Sequence, residues 1–276
     1  MSAPTQLPGA WATTVEAARQ AIMLMFARRV PRLLAIALLG LGALAYVLGG
    51  RVDDRLDGRS LYCLLAWWVL GTVVVPWSTL FLGVQAVHGD IEDRTSQYLF
   101  VRPVGRVALL LGKWIAVVAA AGAVGVAGAA VMFAAIASRG ALWPDGVDAS
   151  LLVAFVAVLC LAAVAYAAVA VMFGAMFRRP LAWAAFFVVG VQMLAANLPV
   201  SAGLRQLTIT DPLRRLLLDQ VEPDARLARM LWPAEDDFRP EMIGNPVCTL
   251  LVFTLVCVIV AAWRYATAEY ESRNRD

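Results

Sequence analysis

Charged residues are scarce in this sequence. Asp, Glu, Lys and Arg make up 16% of the 276 residues, whereas 62% are hydrophobic and the mean hydropathy is +0.75. Soluble domains average about 25% charged residues, so an ordinary soluble protein is excluded. Disorder is excluded as well, because it requires low hydrophobicity and high net charge. The net charge of +3 provides no basic face for nucleic acid. The composition predicts an integral membrane protein.

Lysine, histidine and cysteine are also rare. Lys113 is the single lysine and His88 the single histidine. One histidine cannot form a bis-His haem site or an HExxH zinc motif. The four cysteines lie in apolar runs without CxxC or zinc spacing, which indicates small buried side chains; they are Cys63, Cys160, Cys248 and Cys257. No metal, cofactor or catalytic residue is therefore expected in this chain.

Six stretches are apolar and long enough, or nearly so, to cross a membrane, which takes about 20 residues. They are Leu33–Gly50, Leu61–Val87, Trp114–Ala137, Leu151–Phe177, Leu181–Val200 and Val247–Trp263. Pro76 is expected to kink the second. The predicted fold is an all-α membrane protein with six transmembrane helices. Its parts are a leader (1–32), a transmembrane domain (33–263) with loops at 88–113 and 201–245, and a tail (264–276).

The distribution of Arg and Lys orients these spans. An even number of spans puts both termini on one side. The leader, the loop 88–113, Arg178–Arg179 and the tail carry 13 basic residues on that side. The short loops on the other side, Arg51–Ser60 and Ser138–Ser150, carry three and one. We therefore expect a multi-pass protein of the inner (plasma) membrane with both termini in the cytoplasm.

The leader contains the start of a helix. Thr13 or Thr14 is expected to cap a helix that opens with Glu16. The apolar run 22–26, followed by Arg28 and Arg29, favours a helix at the membrane interface. The alternative is a mobile leader that merges into the first span.

Small residues recur at four-residue spacing in the third and fourth spans. Such pairs let helix backbones approach closely, either within one bundle or between subunits. They are Ala121–Gly125, Gly125–Ala129, Ala163–Ala167 and Ala170–Gly174. None of the six stretches carries Asp, Glu, Lys or Arg at mid-depth, which argues against a carrier that couples transport to ions by itself.

The loop 88–113 holds the most informative pattern. Asp90, Glu92 and Asp93 come first, as suits a helix N-terminus, and Ile91, Thr95, Tyr98 and Leu99 share one helical face. Pro103 is expected to end the helix. From the residues alone, a short exposed cytoplasmic helix and an ordinary connector are equally good interpretations.

The same segment resembles the corresponding loop of ABC-2 type permeases, the membrane subunits of ATP-driven exporters. In that family an acidic stretch leads to Arg-Pro-Val-x-Arg and then to Leu-Leu-Gly-Lys. Here these motifs are Arg102-Pro103-Val104-Gly105-Arg106 and Leu110-Leu111-Gly112-Lys113. The sequence departs from the family at Arg94, where Gly is frequent, and at Ser96, where Leu is common.

The resemblance implies that this loop is a coupling helix that docks on a separate cytoplasmic ATPase subunit. The residues that it places at the interface are Asp90, Glu92, Asp93, Thr95, Arg102, Pro103 and Arg106. It also implies that ATP and Mg²⁺ are bound by that partner and that a second permease subunit, identical or different, completes the transporter. Gly105 to Lys113 is no Walker A motif, because its spacing is wrong and neither Ser nor Thr follows the lysine.

The long segment 201–245 is polar and is expected on the extracytoplasmic side between the fifth and sixth spans. Asp211-Pro212 predicts a helix start, with Asp211 as the cap. Leu213, Leu216 and Leu217 would lie on one face and Arg214, Arg215 and Asp219 on the other. We expect an amphipathic helix on the outer face, either as a solvated cap or as the docking surface of a periplasmic partner.

Two functions follow from the resemblance. One is a non-catalytic permease subunit that couples ATP hydrolysis by the partner to substrate export. The other is a mechanical transmitter that passes ATP-driven motion to a periplasmic partner without transporting a solute. An intramembrane enzyme is disfavoured, because no GxSxG motif is present. The sequence does not identify the substrate.

Overall fold

The computed structural model describes residues 10–27, 30–50, 58–92, 105–139, 149–195, 208–221 and 245–267, and all regular structure within them is helical. Seven helices are longer than one or two turns, and two shorter ones continue into π-helical stretches. The helices are α1 (Ala10–Ala27), α2 (Val30–Gly49), α3 (Gly58–Leu65), α4 (Val75–Glu92), α5 (Arg106–Ala137), α6 (Ala149–Met176), α7 (Pro180–Phe186), α8 (Thr210–Val221) and α9 (Pro246–Thr267).

Five helical stretches of the described residues are long and apolar enough to cross a membrane. They are Arg32–Gly49, Gly58–Gly89, Arg106–Ala137, Ala149–Met176 and Pro246–Thr267. These correspond to five of the six predicted spans. The predicted fifth span, Leu181–Val200, contains the shorter apolar helix Pro180–Gln192 and then runs into residues outside the described ranges. A count of six spans stays a prediction.

Two π-helical stretches interrupt the α-helical pattern. The first, Ala66–Val74, joins α3 to α4 without a break, and Pro76 follows as the second residue of α4. Proline lacks a backbone N–H, so the regular hydrogen-bond ladder cannot continue unchanged through it. The Thr79 hydroxyl donates to the Val75 carbonyl at 2.5 Å. The second stretch, Phe187–Ala195, continues α7.

The core of the bundle lies around α6, which packs against α4, α5, α8 and α9. Tyr62 makes edge-to-face contacts with Phe133 and Phe155, with ring centroids 5.5 and 5.2 Å apart. A Cβ atom on Gly125 would lie 3.3 Å from the side chains of Leu159 and Val75. Small residues in α5 therefore support packing within this chain.

Helix α1 packs on the first half of α5. It begins at Ala10, earlier than the predicted opening at Glu16, and Thr14 is buried within it. Thr14 and Ala17 face Gly112 of α5, while Trp11, Met23 and Leu24 are exposed. The leader therefore contains a helix, which starts earlier than predicted, and its place at the membrane interface stays a prediction. Arg28 and Arg29 lie outside the described residues.

Candidate functional site

Four helices meet at the end of the bundle that carries the predicted coupling loop, here called the loop end. There α4 ends at Glu92, α5 begins at Arg106, α6 ends at Met176 and α9 ends at Thr267. A small apolar cluster joins them there. Its members are Val87, Leu110, Val171, Ala175, Ala261 and Tyr265. The opposite end, called the far end, contains Gly49, Gly58, Ala137, Ala149 and Pro246.

The acidic residues at the start of the predicted coupling helix belong to α4. Asp90 and Glu92 lie in its last turn, so the prediction that they begin a separate helix is wrong. The physical reason is that backbone hydrogen bonding continues past the point where the apolar run ends. Four further candidates, Asp93, Thr95, Arg102 and Pro103, lie outside the described residues.

Arg106 is the candidate whose side chain the structure describes. It is the first residue of α5 and it is exposed. Its Nη1 donates to the carbonyl oxygen of Ala266, in the last turn of α9, at 3.1 Å. A cation suits this position, because the C-terminal end of a helix carries partial negative charge. The exit of the loop is thus tied to the last described helix of the chain.

Gly112 and Lys113 lie inside α5 and are buried, and Gly112 faces α1. A Cβ atom on Gly112 would lie 2.5 Å from the Thr14 carbonyl oxygen and 2.7 Å from the Ala17 Cβ. A phosphate-binding loop needs exposed backbone N–H groups, which a helix interior does not offer. The glycine therefore serves helix packing, and the lysine lies in a helix and not in a phosphate-binding loop.

A second polar site lies around α8, which the sequence placed on the outer surface. The side chain of Gln192, from the second π-helical stretch, covers the N-terminus of α8. Its Oε1 accepts from the backbone N–H groups of Ile209 and Thr210, both at 3.2 Å, and from the Thr210 hydroxyl at 2.8 Å. The Tyr166 hydroxyl donates to the same oxygen at 3.5 Å. Tyr166 is 17 residues into α6, or about 25 Å along its axis, so α8 begins well inside the bundle.

Helix α8 carries charged side chains that are buried in the bundle. Arg214 is 2% exposed, and its guanidinium carbon lies 5.6 Å from the centre of the Trp67 ring in the first π-helical stretch. Asp211 accepts from Arg215 Nε at 3.0 Å. At the other end of α8, Arg59 Nη2 donates to the Val221 carbonyl oxygen. Side chains of other elements therefore fix α8 at both ends.

The predicted helix at Asp211 is confirmed, but its predicted cap and position are wrong. The Thr208 hydroxyl, and not Asp211, accepts the N–H of the first turn, from Asp211 itself at 3.3 Å. Leu213 and Arg214 are both buried, although they were assigned to opposite faces of a surface helix. The sequence also missed Gln192, Tyr166 and Trp67 as partners. Gln192 was visible only as an isolated polar residue in an apolar stretch.

The chemistry of this second site is hydrogen bonding and charge. Amide, hydroxyl, carboxylate, indole and guanidinium groups lie along α8 among the described residues, and each of them makes hydrogen bonds or charge contacts. In the part of the chain that the structure describes, no three His, Cys, Asp or Glu side chains are placed to hold a metal ion.

Comparison with known proteins agrees with the architecture. A family model described as "ABC-2 family transporter protein" matches residues 12–270, which includes nearly all of α1 and every later helix through α9. No curated protein matches the chain.

Proposed function

Because the chain belongs to the ABC-2 family of transporter proteins, we propose that it is the permease subunit of an exporter driven by a separate ATPase subunit. The chain is a transmembrane component of an ABC transporter. Export as the direction of transport, and coupling through the loop 88–113, are proposed here. The family match over residues 12–270 is the observation that carries it. The proposed location is the inner membrane, with the loop end in the cytoplasm.

The loop end supports the proposed route of coupling. Helix α4 runs from the bundle to Glu92, and α5 begins at Arg106, so the 13 intervening residues join two long helices directly. A force on this loop would act on α4 and α5 and, through the Arg106–Ala266 bond, on α9. The cluster around Val87 and Leu110 packs these helices together, so they would move as a unit.

The proposed mechanism assigns ATP and Mg²⁺ to the partner. Nucleotide-driven closure of two ATPase subunits would push the coupling loops of two permease subunits, identical or paralogous. The burial of Gly112 and Lys113 inside α5, with Gly112 against α1, supports a separate ATPase, because the apparent phosphate-binding residues are part of a packed helix.

Co-purification tests the interface. Glu92→Arg combined with Thr95→Arg places two cations where the ATPase is proposed to dock, and we expect it to abolish recovery of the ATPase with the tagged permease. Asp219→Arg is the matched control, because Asp219 is an exposed acidic residue of α8. Membrane insertion of each variant is checked by resistance to carbonate extraction. Equal ATPase recovery with all three chains would refute the proposal.

The transmitter alternative receives less support. It requires an exposed far-end surface for a periplasmic partner, and α8 was the candidate. Most of the first two turns of α8 are buried against α6 and α9. The Leu213 face is therefore occupied within this chain.

A further inference from the structure

Among the deeply buried hydrogen-bond donors that neighbouring elements present to α8, two neutral ones have no acceptor among the described residues. They are the indole Nε1 of Trp67 and the amide Nε2 of Gln192. Trp67 is 2% exposed and Gln192 is 4% exposed. Buried donors are nearly always satisfied in folded proteins, because water is excluded from their surroundings. Two such groups beside one helix point to an acceptor that comes from outside the described fold.

The orientation of the Gln192 amide follows from its neighbours. Its oxygen accepts from two backbone N–H groups and the Thr210 hydroxyl, so an inverted amide would face donors with donors. The oxygen therefore serves the structure by capping α8, and the NH₂ group is the part that remains for a ligand.

The two donors are linked through α8. Gln192 contacts Thr210, and the Trp67 ring faces Arg214, one turn further along the same helix. Residues four apart on a helix have neighbouring side chains, about 6 Å apart. The Arg214 guanidinium brings positive charge to the same region, and charged groups inside a transmembrane bundle are usually functional. Both π-helical stretches contribute a residue, and π-helical turns are frequent at functional sites.

We infer that Trp67, Gln192 and Arg214 form a binding site for an anionic oxygen group, a phosphate or carboxylate, in the interior of the bundle beside α8. Two neutral N–H donors and one guanidinium match such a group, which only accepts hydrogen bonds. In the proposed exporter this would be the head group of the substrate. The assignment of this group to the exported substrate rests on the proposed function, whereas the binding site itself does not.

The test uses the full chain alone in nanodiscs of phosphatidylcholine. Radiolabelled dodecyl phosphate is the probe, and inorganic phosphate and dodecanol are competitors; empty nanodiscs give the background. Binding displaced by inorganic phosphate assigns a free anion as the ligand, and binding that resists it assigns an amphiphile with an anionic head group. Displacement by dodecanol at the same concentration as by unlabelled dodecyl phosphate would overturn the inference, as would no binding above background.

Two variants locate the site. Trp67→Phe keeps a ring beneath Arg214 but removes the indole N–H, and we expect about tenfold weaker binding from the loss of one charge-assisted hydrogen bond. Gln192→Glu keeps an oxygen to cap α8 but replaces the donor with a second, charged oxygen, and we expect at least a tenfold loss. Trp183→Phe, on the exposed face of α7, is the control with unchanged binding.

Unchanged affinity in both Trp67→Phe and Gln192→Glu would overturn the site. Gel filtration and thermal unfolding confirm that the variants are folded. ATPase co-purification is a separate measurement, so the failure of the exporter proposal and the failure of this site give different results.

Discussion

At the scale of single residues, Gly112 holds α1 against α5. A Cβ atom there would lie 2.5 Å from a backbone oxygen and 3.0 Å from the backbone nitrogen of Ala18, which cannot move independently of α1. We expect Gly112→Ala to lower the free energy of unfolding by about 1–3 kcal/mol, as overpacking usually does. Thermal unfolding of the purified chain in detergent measures the effect.

Gly122 provides the control for this prediction. It lies in the same helix, and a Cβ atom there would meet nothing within 4 Å. Gly122→Ala gains the same helix propensity as Gly112→Ala but has no clash, so the difference between the two variants isolates packing against α1. Equal stability of the two variants would contradict the role assigned to Gly112.

At the scale of elements, α8 depends on the Arg59 side chain at its C-terminal end. Arg59→Met keeps the aliphatic stem but removes the donor to the Val221 carbonyl oxygen. We expect the last turn of α8 to open more easily by about 1.4 kcal/mol, which is roughly a tenfold faster amide hydrogen exchange. Exchange measured by mass spectrometry over residues 217–221 tests this.

Arg139→Met is the control at the same end of the bundle. Arg139 is exposed in the turn after α5, and its guanidinium carbon lies 3.8 Å from the centre of the Tyr46 ring of α2. Exchange in α8 should stay unchanged in this variant. If Arg59→Met also left it unchanged, the contact with Val221 would not fix the helix.

The sequence predicts the existence of α8 but not its position. The Asp-Pro pair and the leucine spacing locate the helix within a residue or two. The leucine face is satisfied equally well by a bundle or by an interface, so periodicity cannot choose between them. The choice depends on partners in other elements. Arg215 pairs with Asp211, and Arg214 lies over Trp67, which lowers the cost of burying their charges.

At the scale of the whole molecule, the far end is proposed to face the periplasm. In a Cys248→Ser background, Asn245→Cys places a thiol at the exposed start of α9, and Arg178→Cys places one at the exposed loop end. A membrane-impermeant maleimide should label Cys at position 245 in intact spheroplasts. It should label position 178 only after permeabilisation.

The reverse labelling pattern would contradict the orientation deduced from the basic residues. Labelling of both positions in intact spheroplasts would show that the reagent had crossed the membrane, and an abundant cytoplasmic protein serves as the control for leakage.

Hydropathy alone recovers most of the bundle but not the ends of its helices. The apolar stretch predicted from Trp114 belongs to a helix that starts at Arg106, and the stretch predicted to end at Val87 continues to Glu92. Hydropathy indicates which residues have side chains suited to the apolar core of a membrane, whereas a helix ends where its backbone hydrogen bonds end. The extra turns are those that border the proposed coupling loop. They were invisible to a search for apolar runs.

The bond between Arg106 and Ala266 has a practical consequence for protein engineering. A purification handle or fluorescent protein fused soon after Thr267 would sit beside the first turn of α5. Such a fusion would compete for space with anything that approaches the loop end, and a lost complex would then be an artefact of the label. A handle inserted into the segment 222–244, between α8 and α9, avoids that problem.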